Sequence, residues 1–258
     1  MSSQFTDDQL MILEWTNGVT TGLSLLGELF MIMSYLLVPS IRRFSMKLII
    51  SLTFADLFYS LANVLTYFDE PDCLCVIEGF TRTLGVMIAL GWTLVIMIIS
   101  YKQVVSSNRR IADKYTRYCV GICLIGSIPS ILGLIGHYTN RVIYFGRTLG
   151  YCSLVPIDNA FLLIQVPRVI VMIITFVLTF KIIREIRRRL ENRNINEYKK
   201  LLIYPLLLVI CWLPNTLDRL IYVFHDGIVF PSLVLHLAAA RIQGFLNALV
   251  YGKSRSEE

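Results

Sequence analysis

Two adjacent apolar stretches near the end of the chain, 201–224 and 231–252, limit its fold more than any other feature. Each has about the 20 mostly apolar residues that a helix needs to cross a bilayer. The first stretch contains Pro205 and Pro214, each of which removes a helical hydrogen bond and favours a bend. In a membrane, such a bend is tolerated only where neighbouring helices or water satisfy the freed carbonyl groups. The pair is therefore predicted to form two crossings inside a helix bundle.

The second stretch carries polar side chains that are costly in contact with lipid. A bundle interior, where each side chain finds a partner, is the environment that they are expected to face. These residues are His236, Arg241, Gln243 and Asn247.

The composition of the whole chain agrees with a membrane bundle. Of its 258 residues, 55% are hydrophobic and 16% are charged, and the mean hydropathy is +0.64. Soluble domains average roughly 45–50% apolar and 25% charged residues. The predicted fold class is therefore an all-α membrane protein, a seven-transmembrane helix bundle that fills residues 1–258 as one domain. The helices are predicted at about 15–38, 45–68, 76–105, 115–136, 157–190, 197–224 and 231–252.

The distribution of positive charge predicts the orientation of the bundle. Most of the 24 lysine and arginine residues fall on one side of the membrane if the amino terminus is outside. Basic residues are enriched in cytoplasmic segments, so the amino terminus is predicted outside and the carboxyl terminus inside. The net charge of +6 follows from this distribution, and a nucleic-acid partner is not needed to explain it.

Several strings in the chain resemble a known receptor family. The closest likeness is to the cyclic-AMP-receptor-like family of G-protein-coupled receptors, found in slime moulds and in other protists, fungi and plants. In place of the acid-Arg-Tyr string of rhodopsin-like receptors, the chain has Ile99-Ser100-Tyr101-Lys102, and the smaller family also strays from that string. The strings that carry the resemblance are Tyr204-Pro205, Cys211-Trp212-Leu213-Pro214 and the run QGFLNALVYG from Gln243 to Gly252. The string SLTFADLF around Asp56 resembles the acidic second-helix position of the wider receptor superfamily.

This resemblance implies a receptor that senses an extracellular ligand and signals through a heterotrimeric G protein by movement of helices five to seven. It implies a multi-pass protein of the plasma membrane, with an organellar or ciliary membrane as the alternatives, and neither enzymatic activity nor a cofactor. The alternative function is a receptor-like structural subunit of a larger membrane complex. The implied helix-switch residues are Asp56, Trp212, Pro214, Asn247 and Tyr251, and the candidate G-protein contacts are Lys102, Arg184, Arg187 and Arg188.

The resemblance also implies a disulfide between the head of the third helix and the following long loop. Cys75 and Cys152 are the expected pair, because Cys75 adjoins the apolar run of that helix. Cys73 is a third candidate on the same side, and the sequence does not exclude its pairing with Cys152.

Polar residues in the half of the bundle next to that loop are candidates for a ligand pocket. Arginines converging there would suit an anionic ligand, and the alternative is internal pairing with nearby acids, such as Arg82 with Glu78. Glu28 and Arg241 are expected at similar depth on neighbouring helices and are predicted to form a buried ion pair. No metal-ligand spacing or catalytic pair occurs in the sequence. The pocket candidates are Arg82, Arg168, Asp218, Arg219, Tyr222 and His236.

Overall fold

The computed structural model is a bundle of long helices with a small β-hairpin at one end. It describes residues 5–68, 72–106, 115–139, 143–148, 151–155, 161–188, 195–225 and 229–256. The helices in those ranges are α1 (Asp7–Leu37), α2 (Phe44–Leu65), α3 (Asp72–Ser106), α4 (Tyr115–Thr139), α5 (Val166–Arg188), α6 (Ile195–His225), α7 (Phe230–Arg241) and α8 (Gln243–Ser256). The strands are β1 (Tyr144–Thr148) and β2 (Tyr151–Val155).

Within the described residues, six spans are long and apolar enough to cross a bilayer, and a seventh helix is apolar over a shorter stretch. α1 to α5 are each long and apolar enough to span a bilayer. α7 and α8 together pass the same test as one bent span, and α6 contains the apolar stretch Ile203–Asp218. This agrees with the predicted seven-helix fold class and makes the chain an integral multi-pass membrane protein.

The outer surface of the bundle is apolar, unlike that of a soluble protein, and many polar side chains are buried. Large apolar side chains such as Leu26 and Ile125 are exposed on the outside, where acyl chains would surround them. Polar side chains such as Ser24, Thr93 and Asn247 are almost completely buried. In a bilayer this arrangement is favourable, because lipid accepts apolar groups and the interior supplies partners to polar ones.

The first helix begins at Asp7, earlier than the predicted start at about 15. Thr6 caps it through a reciprocal pair of bonds. The Thr6 hydroxyl accepts from the Gln9 amide at 3.3 Å, and the Gln9 side chain accepts from the Thr6 amide at 3.0 Å. This capping box satisfies two of the free N–H groups at the helix start, so a helical turn forms before the apolar stretch.

The last crossing is broken at Ile242, whereas the sequence predicted one continuous helix over 231–252. α7 and α8 meet at an angle of 43°. The N–H of Gly244 donates to the hydroxyl of Ser24 on α1 at 3.0 Å instead of continuing the helical ladder. A side chain on α1 thus takes up one of the backbone groups that the break exposes.

The fifth crossing begins with an irregular turn. Residues Phe161–Gln165 form a π-helical turn, and the regular helix α5 starts at Val166. Pro167 has no N–H to offer and its ring crowds the preceding turn, so the chain widens there. The predicted helix started at about 157, and residues 156–160 lie outside the described ranges.

The hairpin lies in the segment that the sequence predicted as a loop. Its register pairs Tyr144 with Val155 and Arg147 with Cys152. Phe145 on β1 is buried in a cluster with Val76 of α3 and Leu154 of β2. The hairpin is therefore a packed cover on one end of the bundle.

The predicted disulfide between Cys75 and Cys152 is confirmed, and Cys73 is a free, exposed thiol. We call this end of the bundle, with the hairpin, the disulfide end. At the other end, Met97 and Tyr101 of α3 pack against Leu178 and Ile182 of α5. We call that end the basic end, because Lys102, Arg184 and Arg188 are exposed there.

Replacing Gly27 by alanine is expected to destabilise the protein by about 1–3 kcal/mol, the usual cost of overpacking. A Cβ there would lie 2.8 Å from the Phe245 Cα and 2.9 Å from the Gly244 carbonyl oxygen, and backbone cannot swing away. Gly22→Ala on the same helix is the control, because it would meet nothing within 4 Å. Melting temperatures in lipid nanodiscs test this. Equal shifts for the two variants would contradict the close contact of α1 with α8.

Cys75→Ser is expected to lower the free energy of unfolding by about 2–4 kcal/mol, the typical contribution of a disulfide. Cys73→Ser, two residues away and exposed, is expected to leave the melting temperature unchanged under oxidising conditions. If Cys73→Ser were the damaging change, the pairing described here would be wrong.

Candidate ligand cavity and the polar network beneath it

A cavity of about 90 Å³ lies inside the bundle near the disulfide end. Residues of α2, α3, α5, α6 and α7 form its walls, and Tyr151, Ser153 and Leu154 of β2 cover part of it. The polar and aromatic residues that line it are Tyr59, Arg82, Thr83, Tyr151, Ser153, Gln165, Arg168, Trp212, Asn215, His236 and Arg241.

Arg82 is held in place by an internal ion pair. Its guanidinium bonds to the carboxylate of Glu78, one helical turn earlier, and also donates to Asn63 and to Thr66. The same Glu78 oxygen accepts from the Cys152 amide at 3.1 Å. Arg82 is therefore paired internally with Glu78, which is the alternative to ligand binding that the sequence allowed. Glu78 fixes Arg82 and the hairpin together.

Arg168 joins the cavity wall to the indole below it. Its guanidinium lies 4.2 Å from the centre of the Trp212 ring, in cation–π geometry. It donates to the Gln165 side chain at 2.7 Å and to the Asn215 side chain. The orientation of Arg168 is thus coupled to the position of Trp212.

His236 connects α7 with α6. Its Nδ1 lies 2.9 Å from the Asp218 carboxylate, and its Nε2 contacts the Asn215 amide. Ser232 donates to the other Asp218 oxygen at 2.8 Å. Asp218 therefore supports His236 and is not one of the cavity-lining residues. The side chains of Arg219 and Tyr222, also predicted for the pocket, lie outside those that the structure describes.

A chain of hydrogen bonds runs from the cavity floor into the middle of the bundle. The Trp212 indole N–H donates to the Gln243 carbonyl oxygen at 2.5 Å. The Gln243 amide donates to one Asp56 oxygen at 3.0 Å, and Asn247 donates to the other at 3.1 Å. The amide of Asn247 is therefore one of two amide partners of this buried carboxylate. Gln243 was recognised only as a buried polar residue, and its place at the start of the QGFLNALVYG string was the available signal.

The remaining two helix-switch candidates lie along the same helices. Pro214 is half-buried in α6, which stays helical through it. Two residues on, Thr216 donates to the Trp212 carbonyl at 3.1 Å. Tyr251 of α8 is buried in the main core cluster with Tyr204 of α6. This apolar cluster therefore follows the polar network in the direction of the basic end.

The predicted ion pair between Glu28 and Arg241 is not formed. Glu28 accepts from Ser24 at 3.0 Å and from Ser60 at 2.8 Å. It lies against Gly244, beyond the break at Ile242, because a Cβ on Gly244 would be 2.2 Å from its Oε1. Arg241 precedes the break and lines the cavity instead. The two side chains were expected at one depth, and the broken helix places them on different levels.

One titrating group lies just beyond a membrane span and faces this region. Burial raises the pKa of Tyr67, which follows α2, and the charge of Arg241 acts in the opposite direction. The Tyr67 hydroxyl donates to the Glu14 carbonyl at 3.1 Å and so ties the end of α2 to the start of α1.

The basic end holds the predicted G-protein contacts. Lys102 is exposed near the end of α3, and Arg184 and Arg188 are exposed near the end of α5. The side chain of Arg187 is not among those described. In the described ranges, no cluster of three or more His, Cys, Asp or Glu residues has the geometry of a metal site.

The comparisons with known proteins agree with this architecture. No family model matches the chain. The chain is 25% identical to Cyclic AMP receptor-like protein A of Dictyostelium discoideum over 96% of its own length and 66% of that protein. It is 23% identical to G-protein coupled receptor 1 of Arabidopsis thaliana over 93% of its length and 77% of that protein.

A second slime-mould relative and a solved structure extend the likeness. Cyclic AMP receptor-like protein C of the same organism is 25% identical over 62% of this chain and 45% of that protein. The crystal structure of squid rhodopsin superimposes with a TM-score of 0.74 at 15% identity, covering 96% of this chain and 83% of that one. This last likeness is one of fold alone. The chain is thus similar in sequence to cyclic-AMP-receptor-like proteins and to a G-protein coupled receptor, in agreement with the predicted resemblance, and it shares the fold of squid rhodopsin.

Proposed function

We propose that the chain is a G-protein-coupled receptor that binds a ligand in the cavity and signals through a heterotrimeric G protein by movement of α5 to α8. The observation that carries this proposal is the hydrogen-bonded path from Trp212 through Gln243 to Asp56. It begins at the cavity floor and crosses the break of the last span. A packed interior with a discrete joint can switch between two arrangements.

The first step of the proposed transmission is at Arg168. A ligand that draws its guanidinium into the cavity alters the contact with the Trp212 ring, which now lies 4.2 Å away. Asn215 moves with it, because its side chain bonds to both Arg168 and His236. A change of contacts in the cavity therefore alters side-chain positions on α5, α6 and α7 together.

The second step is at the break. Gln243 is the first residue of α8, and its amide bonds to α6 through Trp212 and to α2 through Asp56. If the Trp212 indole rotates, Gln243 must form new hydrogen bonds, because leaving a buried amide without a partner costs about 1–3 kcal/mol of free energy. When Gln243 forms new hydrogen bonds, α8 shifts. Tyr251 and the core cluster on the side of the basic end shift with it.

The proposed orientation has the disulfide end outside and the basic end in the cytoplasm. Disulfides persist in oxidising compartments outside the cytosol, and Cys75–Cys152 lies at the hairpin end. Basic residues favour the cytoplasmic side. The plasma membrane is the membrane in which a sensor of extracellular ligands would act.

The proposed G-protein surface is the basic end. Lys102 and Arg184 are exposed on helices that pack together there through Met97 and Ile182. Arg188 and Arg187 follow one turn along α5. Such a surface would receive an acidic or polar segment of a G protein when α5 and α6 separate.

The alternative function, a structural subunit of a larger complex, is less well supported. Two relatives are named as cyclic-AMP-receptor-like and one as a G-protein coupled receptor. The chain matches about two thirds of the first of these, so its activity rests on the test that follows.

The purified chain in nanodiscs is expected to accelerate GDP release from at least one member of a panel of heterotrimeric G proteins. The double variant Arg184→Glu, Arg188→Glu should lower that rate about tenfold or more, because two close like-charge contacts cost several kcal/mol. Glu14→Lys, a charge reversal at an exposed position near the start of α1 and away from the basic end, is the control. No exchange activity, together with stoichiometric partners that persist in detergent, would favour the subunit function.

Gln243 and Trp212 are expected to act as a coupled pair. Gln243→Met and Trp212→Phe each remove one end of their hydrogen bond, so the double variant should be less damaged than the sum of the two. A coupling energy of about 0.5–3 kcal/mol is expected in the stability cycle. The same non-additivity should appear in the exchange rate. If the effects of the two substitutions were strictly additive in both stability and exchange rate, the Trp212–Gln243 bond would not be part of the proposed path.

A further inference from the structure

Three exposed cations lie at the turn between α1 and α2. Arg42 and Arg43 end the turn, and Lys47 lies in the first turn of α2. We call these three residues the turn patch. The other end of α2 is at the disulfide end of the bundle, where Thr66 donates to Glu78 at 3.0 Å. The turn patch therefore lies at the basic end.

The chain around the turn patch supplies no negative side chain. No aspartate or glutamate occurs in the sequence between Glu28 of α1 and Asp56 of α2. Both of those carboxylates are buried inside the bundle and accept hydrogen bonds from other side chains. This segment therefore gives the turn a net positive charge.

Arg42 is held in a fixed position at the end of α1. Its Nε donates to the Tyr35 carbonyl at 3.1 Å, and its Nη2 donates to the Leu36 carbonyl at 2.6 Å. These carbonyls belong to the last turn of α1, where the helix itself offers no N–H partner. The guanidinium also lies 6.0 Å from the centre of the Tyr35 ring. A cation that is already ordered loses little conformational entropy when it binds an anion.

The first turn of α2, which carries Lys47, is anchored to α4. The Ser51 hydroxyl donates to the Lys47 carbonyl at 2.8 Å and lies 2.6 Å from the Tyr115 hydroxyl. The rings of Phe44 and Tyr115 are in edge contact, with 6.4 Å between their centres. The backbone on both sides of the turn is therefore fixed relative to the bundle.

An apolar strip on α1 leads to the turn patch. It consists of the exposed side chains Leu29, Met33, Leu36 and Leu37. Residues three and four apart share one side of a helix, and in a bilayer this side faces acyl chains. Because Arg42 bonds to the Leu36 carbonyl, the strip ends at the turn patch. Positive charge at the end of a lipid-facing strip matches the two parts of an anionic phospholipid, its headgroup and its acyl chains.

The turn patch is separate from the proposed G-protein surface. The first helix packs against α2, α7 and α8, whereas Lys102 and Arg184 lie on α3 and α5. The bias of cytoplasmic segments toward basic residues explains positive charge at the turn. That bias does not require a fixed guanidinium or an adjoining apolar strip, so these two features favour a specific site.

We propose that the turn patch binds the headgroup of an anionic phospholipid in the leaflet at the basic end. The Arg42 guanidinium keeps further N–H donors for a phosphate, and Lys47 adds a second cation. The acyl chains pack along Met33 and Leu37. Anionic lipids of the cytoplasmic leaflet attract basic residues just beyond a span. The bound lipid ties the turn to the membrane surface, whether or not the protein acts as a receptor.

The test is the melting temperature of the full chain in nanodiscs of dioleoyl phosphatidylcholine that contain increasing fractions of dioleoyl phosphatidic acid. The melting temperature is expected to rise with the logarithm of that fraction, because the lipid binds the folded state. Lys47→Gln should weaken the apparent affinity about fivefold, and the double variant Arg42→Gln, Lys47→Gln about thirtyfold. Each variant is compared with itself in pure phosphatidylcholine, so that a loss of folding stability is not counted as a loss of binding.

The matched control is Lys181→Gln, which removes the same charge at an exposed position of the basic end, on α5. This variant should keep the full shift of the unmodified chain. If Lys181→Gln weakens the affinity as much as Lys47→Gln does, the attraction is that of a basic surface in general, and the proposal is overturned.

Soluble glycerol phosphate separates a lipid from a free phosphate group. In nanodiscs of phosphatidylcholine alone it should leave the melting temperature unchanged, because it has no acyl chains to contact the apolar strip. A shift as large as that from phosphatidic acid would mean a site for a soluble anion and would overturn the proposal. The absence of any shift with phosphatidic acid would overturn it as well. The assay contains no G protein, so its result is independent of nucleotide exchange.

Discussion

The carboxylate of Asp56 is the group on which the rest of the structure depends. It is buried in the middle of the bundle, and its two oxygens accept from Gln243 and Asn247 on the last crossing. A carboxyl group at that depth is acceptable only if partners surround it and lipid is excluded. Satisfying it fixes the rotation of α2 and of α8 and brings Gln243 within reach of Trp212. The position of the indole, and so the floor of the cavity, follows from that requirement.

The same rule explains the break in the last crossing. The Gly244 amide leaves the helical ladder for Ser24, which also donates to Glu28. Small residues permit this, since Gly27 and Gly244 let α1 approach the break closely. The break in turn separates two polar levels. One contains Glu28 and the Asp56 network, and the other contains the arginines of the cavity. Polar groups that a straight helix would have aligned are therefore divided between a structural network and a binding space.

Much of the fold was predictable because membrane crossings have a strong signal. Apolar length gave seven spans, and the polar residues of the last span were correctly expected inside. The disulfide between Cys75 and Cys152 followed from a resemblance to known receptors. The break at Ile242 was not predictable, because it depends on Ser24, a residue more than two hundred positions away. The position of Arg241 follows from that break, and so the predicted pair with Glu28 was wrong. The hairpin was missed because its weak turn signal lies between two short runs.

The sequence predicted which residues line the cavity better than it predicted how those residues pair. Arg82, Arg168 and His236 were expected at a pocket, and all three line the cavity. The internal partners of these three side chains are Glu78, Asn215 and Asp218, and no spacing rule in the sequence predicts those contacts.

Whether Trp212 faces a closed interior or the lipid tests the central claim most directly. The chain has three tryptophans, so one variant can keep Trp212 alone, with Trp15 and Trp92 replaced by phenylalanine. A second can carry Leu26→Trp alone, at a position that is 67% exposed on α1. In bilayers with brominated acyl chains, we expect strong quenching of the fluorescence of the Leu26→Trp variant and little quenching of Trp212. Equal quenching of the two would place Trp212 against lipid and contradict the account.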